Sequence, residues 1–227
     1  MVTKIKVKDF ECCCRNNSEA SNVTYLIYPA LVPFAESWID KTAEQYKVAL
    51  VVVYVPADKW NDVLTPWSEP GEAKGFPPFA GEASEFLKFL KSEIIPATEK
   101  QISVSDDVPR DLIGVSLSGL FTVWQWILCD TFRNIASLSG SFWYNGFIEW
   151  FEKQKLPAKT GKAFFLLGEE EPKAHIKAYR SVGEDTEKVV TRFKDAGIQV
   201  TFDWVPGNHF SQPVHRAELA FKSLYSV

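Results

Sequence analysis

The stretch from Asp111 to Cys129 constrains the fold of this chain more than any other. A short apolar run, Asp111-Leu112-Ile113-Gly114-Val115, leads into Ser116, and a nearly unbroken apolar stretch follows from Leu117 to Leu128. That pattern predicts a strand, a sharp turn and then a buried helix. Gly114 and Gly119 flank the serine and let the backbone pack closely around a strained turn. A serine pinned there presents its hydroxyl at the carboxyl edge of a sheet.

The rest of the chain supplies that sheet. Strands and helices alternate, which points to an α/β protein with a parallel sheet covered on both faces. Ile5 to Cys14 and Val23 to Tyr28 read as strands. The polar segment Arg15 to Asn22 between them is expected to close a hairpin, making the start of the sheet antiparallel. Glu36 to Tyr46 reads as a helix with Trp38 and Ala43 on its inner side. Val48 to Val55 is a β-branched run suited to a strand buried on both faces. From Pro56 to Phe79 the chain carries Pro66, Pro70, Gly71, Gly75, Pro77 and Pro78, so helix and strand are both disfavoured. Long irregular loops inside a compact domain are usually functional, and this one holds Trp60 and Trp67. Glu82 to Ile95 is expected to be an amphipathic helix stopped by Pro96. Beyond the central unit come strands at Ile135 to Leu138, Ala163 to Leu167 and Ile198 to Val205. Helices are expected at Ile176 to Ala196 and Val214 to Leu224. No repeat, linker or low-complexity tract interrupts the 227 residues, so one domain over residues 1–227 is expected.

Composition narrows the partners. A net charge of −4 without a basic stripe argues against nucleic acid. The longest apolar run is too short to span a membrane and is broken by Gln125. The amino terminus alternates charged and apolar residues, unlike a signal peptide, so a cytoplasmic location is expected. Of the four cysteines, Cys12, Cys13 and Cys14 are consecutive. Adjacent residues alternate across a strand and do not converge on one ion, so free thiols are expected, with neither a disulfide framework nor a metal site.

Three side chains carry the candidate chemistry. A serine hydroxyl is a weak nucleophile at neutral pH and needs an adjacent base. Ser116 read blandly is a helix N-cap, but its flanking glycines favour chemistry; Ser118 is expected to lie inside the helix. His209, in Pro206-Gly207-Asn208-His209-Phe210, follows the last strand and can swing over the sheet edge to take the serine proton. His175 and His215 are expected to face solvent. An acid must accept a hydrogen bond from the imidazole. Glu169, Glu170 and Glu171 all follow the strand ending in Gly168, and chemistry alone does not choose among them; Asp203 lies inside a strand. An oxyanion would need backbone donors: the N–H of Leu117, just after the serine, and one from Ala30 or Leu31, since Pro29 has none.

Several segments together resemble the putative-esterase family of α/β-hydrolases, which includes the esterase D and siderophore-esterase types. They are Gly-Val-Ser-Leu-Ser-Gly-Leu-Phe (114–121), Ser-Gly-Ser-Phe-Trp-Tyr (139–144), Leu-Gly-Glu-Glu-Glu (167–171) and Pro-Gly-Asn-His-Phe (206–210). The segment from Trp60 to Trp67 also resembles a loop of small members. The chain order serine, acid, histidine is the order of that fold. One departure is Ser118, where the five-residue elbow motif has glycine; a small residue suffices sterically.

The resemblance implies an α/β-hydrolase fold: a mostly parallel central sheet, helices on both faces, and no large separate lid domain. It implies action on carboxylic esters of small molecules, with no cofactor or metal required. The family's acid lies three residues past a strand-end glycine, which selects Glu171. Ser141 and Trp143 become candidate pocket residues by resemblance, and Trp60 and Trp67 candidate pocket walls, with aromatic anchoring of the loop as the alternative. The reading is therefore a serine carboxylesterase with Ser116, His209 and Glu171 as its triad. Its rivals are a non-catalytic binding protein on the same fold and an acyltransferase using the same triad.

Overall fold

The computed structural model describes residues 1–104, 107–157 and 161–226; Val227, the expected end of the domain, lies outside the described residues. Eight strands form one sheet: β1 (Thr3–Val7), β2 (Phe10–Arg15), β3 (Val23–Pro29), β4 (Ala49–Val55), β5 (Arg110–Val115), β6 (Ile135–Leu138), β7 (Lys162–Gly168) and β8 (Gln199–Val205). Their spatial order is β1-β2-β4-β3-β5-β6-β7-β8. β1 and β2 run antiparallel, and β2 is antiparallel to β4. Every pair from β4 to β8 is parallel.

The helices are α1 (Glu36–Tyr46), α2 (Trp60–Val63), α3 (Ala83–Phe89), α4 (Ile95–Ile102), α5 (Leu117–Leu128), α6 (Phe147–Lys153), α7 (Val182–Asp195) and α8 (Pro213–Tyr225). Helices α1 and α8 cover one face of the sheet, and α3 to α7 contribute to the core on the other. Strand β4 shows why both faces are dry. Val51, Val53 and Val55 pack on one side, and Leu50, Val52 and Tyr54 on the other. A strand sandwiched in this way has no polar face to show, hence its continuous apolar sequence. Helix α5 is likewise buried from Leu117 to Trp126, as expected of a helix apolar all round. No described helix is long and apolar enough to cross a membrane.

Four expectations need correcting. The hairpin does not span Arg15 to Asn22. The predicted strand Ile5 to Cys14 is itself folded in two, with Val7 opposite Phe10 across Lys8 and Asp9. Lys8 takes a left-handed φ of 51°, so the turn is made without glycine. Segment 16–22 instead carries the chain past β4's place in the sheet, and β3 pairs with β4 and β5. Pro96 does not stop the helix after Glu82. A π-helical turn, Leu90–Ile94, widens the coil ahead of it, and the Ile95 N–H bonds the Leu90 carbonyl. Proline then sits in the first turn of α4, where its missing N–H has no partner to lose. The loop from Pro56 to Phe79 is not wholly irregular: it holds α2 and a bridge between Glu69 and Phe79. Finally, residues 177–181 form a 3-10 turn that precedes α7, so the expected helix from Ile176 begins later. The three consecutive cysteines alternate across β2, with Cys12 and Cys14 in one core and Cys13 in the other.

Candidate active site

Ser116 closes β5 and opens α5 with φ 57° and ψ −124°. A non-glycine residue there stores about 1–3 kcal/mol of strain, and surrounding contacts must hold it. They are present: the Ser116 N–H bonds the Leu138 carbonyl at 2.9 Å, and the Ser116 carbonyl accepts from Leu120 and Ser141 at 3.1 Å each. Gly114 is obligatory, because a Cβ there would lie 2.1 Å from the Ser118 carbonyl oxygen. Ser118 is fully buried. Its hydroxyl accepts the Val115 N–H at 2.7 Å and lies 2.8 Å from the carbonyls of Ile27 and Val115. The departure from glycine at this position therefore adds a tie between the turn and β3.

His209 hangs from the loop after β8. That loop turns on Gly207 at φ 99°, and the Asn208 side chain accepts the Phe210 N–H at 3.0 Å. The imidazole Nε2 lies 3.0 Å from Ser116 Oγ, and Nδ1 lies 2.8 Å from Glu171 Oε2. Of the three adjacent glutamates, Glu171 is the one brought in; Glu169 and Glu170 are exposed. Gly168 makes this possible, since a Cβ there would meet the Gly207 carbonyl at 2.5 Å and Glu171 Oε1 at 2.9 Å. His175, His215 and Asp203 are exposed.

Glu171 is buried and heavily partnered. Its Oε1 accepts from Ser139 Oγ at 2.7 Å, the Gly168 N–H at 2.8 Å and Arg216 Nη1 at 2.9 Å. Burial by itself pushes the carboxyl up. The hydrogen bond and charge of His209, with hydrogen bonds from Ser139 and Arg216, outweigh it and hold the group below its ordinary value. Glu171 is thus anionic at neutral pH and accepts a proton bond from Nδ1, which leaves the Nε2 lone pair facing the serine. Arg216, on α8, is also buried and donates through Nη2 to the Asn208 carbonyl at 2.7 Å, fixing the histidine loop.

Two cavities open beside Ser116. The larger, about 740 Å³, is walled by Tyr28, Leu31, Val32, Pro77, Pro78 and neighbours. The smaller, about 440 Å³, is lined by Ser141, Trp143, Tyr179 and Glu72 among others. Trp60, Asn61, Ser116, His209 and Phe210 border both. Ser141 Oγ is 3.4 Å from Ser116 Oγ. Trp67 lines neither cavity, which corrects one expectation. Its Nε1 donates to the Asn145 carbonyl at 3.0 Å and its ring packs on Tyr144 and Trp150, so it anchors the loop. A second correction concerns Ala30, whose N–H is donated to the Val55 carbonyl at 3.0 Å as an extension of the β3–β4 ladder. Leu31 remains as donor on that loop, and Leu117 opens α5, where first-turn N–H groups lack intrahelical partners.

Arg216, Ser139, Glu72 and Tyr179 escape the sequence reading. Arg216 alone left a signal: it shares a helical face with Ala220 and Leu224, both buried, and a cation on an apolar stripe calls for a buried anion.

A mostly parallel sheet carrying a serine on a strained strand-to-helix turn defines an α/β-hydrolase. The family described as Putative esterase matches residues 33–203, and the chain belongs to it. Among curated proteins, the Uncharacterized protein YbbA of Bacillus subtilis (strain 168) is 27% identical over 151 residues, 66% of this chain. The match spans only 60% of that relative's length. Among solved structures, an IroE-like serine hydrolase from Shewanella oneidensis superposes with a TM-score of 0.76 at 15% identity, covering 99% of this chain and 80% of that one. The siderophore hydrolase EstA from Aspergillus nidulans gives 0.71 at 19% identity, covering 100% and 95%. The BES protein from Bacillus cereus gives 0.70 at 18%, covering 100% and 96%.

Proposed function

We propose that this esterase-family chain is a cytoplasmic serine carboxylesterase built as a single domain, with Ser116, His209 and Glu171 as its triad. Ser116 Oγ attacks the ester carbonyl carbon while His209 Nε2 takes its proton. The N–H groups of Leu117 and Leu31 stabilise the oxyanion. As the tetrahedral intermediate collapses, the imidazolium returns the proton to the departing alcohol, and the acyl group stays on Ser116. Water, deprotonated by the same Nε2, then releases the acid. Glu171 holds the imidazole in the tautomer that both steps need. Ser141 and Trp143 shape one side of the bound ester, and Trp60 stands between its two sides.

The observation that carries this reading is the continuous relay from Ser116 Oγ to His209 at 3.0 Å and on to Glu171 at 2.8 Å. The test is hydrolysis of short-chain p-nitrophenyl esters, paired with labelling by a fluorophosphonate probe. The protein is expected to hydrolyse the ester and to label at Ser116. A folded protein that does neither would favour the binding-protein alternative.

A further inference from the structure

The smaller cavity has a chemistry that the larger one lacks. Its walls are aromatic: Trp60, Trp143, Tyr179 and Phe210 all border it. The Trp143 and Tyr179 rings sit 4.5 Å apart between centroids at 46°. Glu72 enters from the long loop, and its Oε2 is enclosed with no hydrogen-bond partner among the described residues. The Tyr179 hydroxyl lies beside this carboxylate. Burial pushes that phenol up, and the negative charge of Glu72 pushes it further, so it stays neutral. Among the described residues, no lysine or arginine lines this cavity. Arg180, next to Tyr179, donates its Nε to the Ala174 carbonyl. Two further carboxylates border the wall: Glu171 is already paired with His209 and Arg216, and Glu170 is exposed to solvent.

An enclosed carboxylate oxygen without a donor is costly unless a ligand supplies one or a positive charge. Aromatic faces around it add quadrupole attraction for a cation, most usefully for one that is bulky and weakly hydrated. The same arrangement repels an anionic ester. We infer that the cavity of Trp60, Trp143, Tyr179 and Glu72 selects esters whose group on that side of the scissile bond is an organic cation, such as a quaternary or tertiary ammonium. The opposite side of the ester lies in the larger cavity, against Leu31, Val32, Pro77 and Pro78. Two carboxylates, Asp58 and Asp62, also border that cavity, but Asp62 Oδ1 already accepts the Ala80 N–H at 3.2 Å. The inference takes its ester from the esterase reading, whereas the cation site stands apart from it.

The test separates the two. Choline and its neutral carbon isostere 3,3-dimethylbutan-1-ol are titrated into the full chain, followed by calorimetry and tryptophan fluorescence. Choline is expected to bind at least about tenfold more tightly. Glu72→Gln should bring the two ligands within about threefold of each other, and Glu72→Asp, which keeps the charge, should retain part of the preference. Equal affinities in the wild-type protein would overturn the inference, as would a preference that Glu72→Gln leaves intact. The wild-type comparison decides the matter even where a variant fails to fold. A kinetic arm compares acetylcholine with 3,3-dimethylbutyl acetate, where kcat/KM should favour the cationic ester through KM. Selective choline binding without hydrolysis of either ester would sink the esterase reading alone. Hydrolysis of both esters at equal kcat/KM, without choline preference, would sink the cation site alone.

Discussion

The two ends of His209 are built differently. At Nδ1 the partner is a buried carboxylate that also accepts from a hydroxyl, a backbone N–H and a guanidinium. At Nε2 the partner is a half-open hydroxyl whose other side-chain contact is Ser141 at 3.4 Å. The carboxylate end is fixed by structure, and removing it is expected to disturb the fold. The hydroxyl end is left with few contacts, as the proposed attack on a substrate requires. The contrast teaches that orientation of the imidazole is built into the core, while the hydroxyl proposed to react is placed at the edge of a cavity.

That contrast can be broken at either end. Ser116→Ala should lower ester turnover by as much as ~10⁶-fold, while the thermal midpoint moves by no more than about 2 °C. A large loss of stability would show that the hydroxyl end is structural after all. Glu171→Gln should act on both properties. Turnover is expected to fall about 10⁴-fold through loss of the correct tautomer. Stability should drop by about 3–5 kcal/mol in urea unfolding, since Arg216 keeps its charge in the core without its anion. Unchanged stability would contradict the account of the buried end.

Acid sharpens the same point. Glu171 is held below its ordinary value of 4.5 in the folded protein, so the unfolded chain binds more protons over the interval between the two values. Its contribution is complete above the ordinary value and is lost as pH falls through the folded one. The urea midpoint of the wild-type protein should therefore fall below pH 4.5 more steeply than that of Glu171→Gln. Equal slopes would mean that the carboxylate is not stabilised as described. The smallest effect belongs to Trp67, outside both cavities. Trp67→Phe loses the bond to Asn145 and should cost about 1 kcal/mol, with kcat/KM for a p-nitrophenyl ester changing less than about twofold.

What the sequence made legible was what local chemistry writes down. Ser116 announces itself through Gly114 and the change from strand to helix pattern, because the turn and its steric needs lie within a few residues. His209 is marked by the turn that precedes it. Glu171 is not separable from Glu169 and Glu170 by chemistry alone; the choice came from a family spacing, and in the fold it follows from the close approach of Gly168 to Gly207. Arg216 was illegible for a different reason. Its anion lies 45 residues away in sequence, and no local pattern names a partner across that distance. The Pro96 and hairpin errors share a cause. Both treat a local signal as decisive where geometry compensates: a π turn ahead of the proline, and a left-handed lysine in place of glycine at Lys8. Trp67 shows the same limit, since an aromatic in a long loop reads alike whether it faces a ligand or a neighbouring chain segment.

The reassigned hairpin has a consequence for the molecule in crowded solution. It makes β1 one of the two edge strands, and that strand carries exposed Lys4 and Lys6 with Lys8 at the turn. A foreign strand trying to extend the sheet there would have to approach closely spaced ammonium groups, two of them held in ion pairs, Lys4 by Glu36 at 2.9 Å and Lys8 by Glu93 at 2.7 Å. Charge of this kind along a border discourages edge-to-edge aggregation, so the hairpin shields the β-branched interior of β4 from recruitment into larger assemblies.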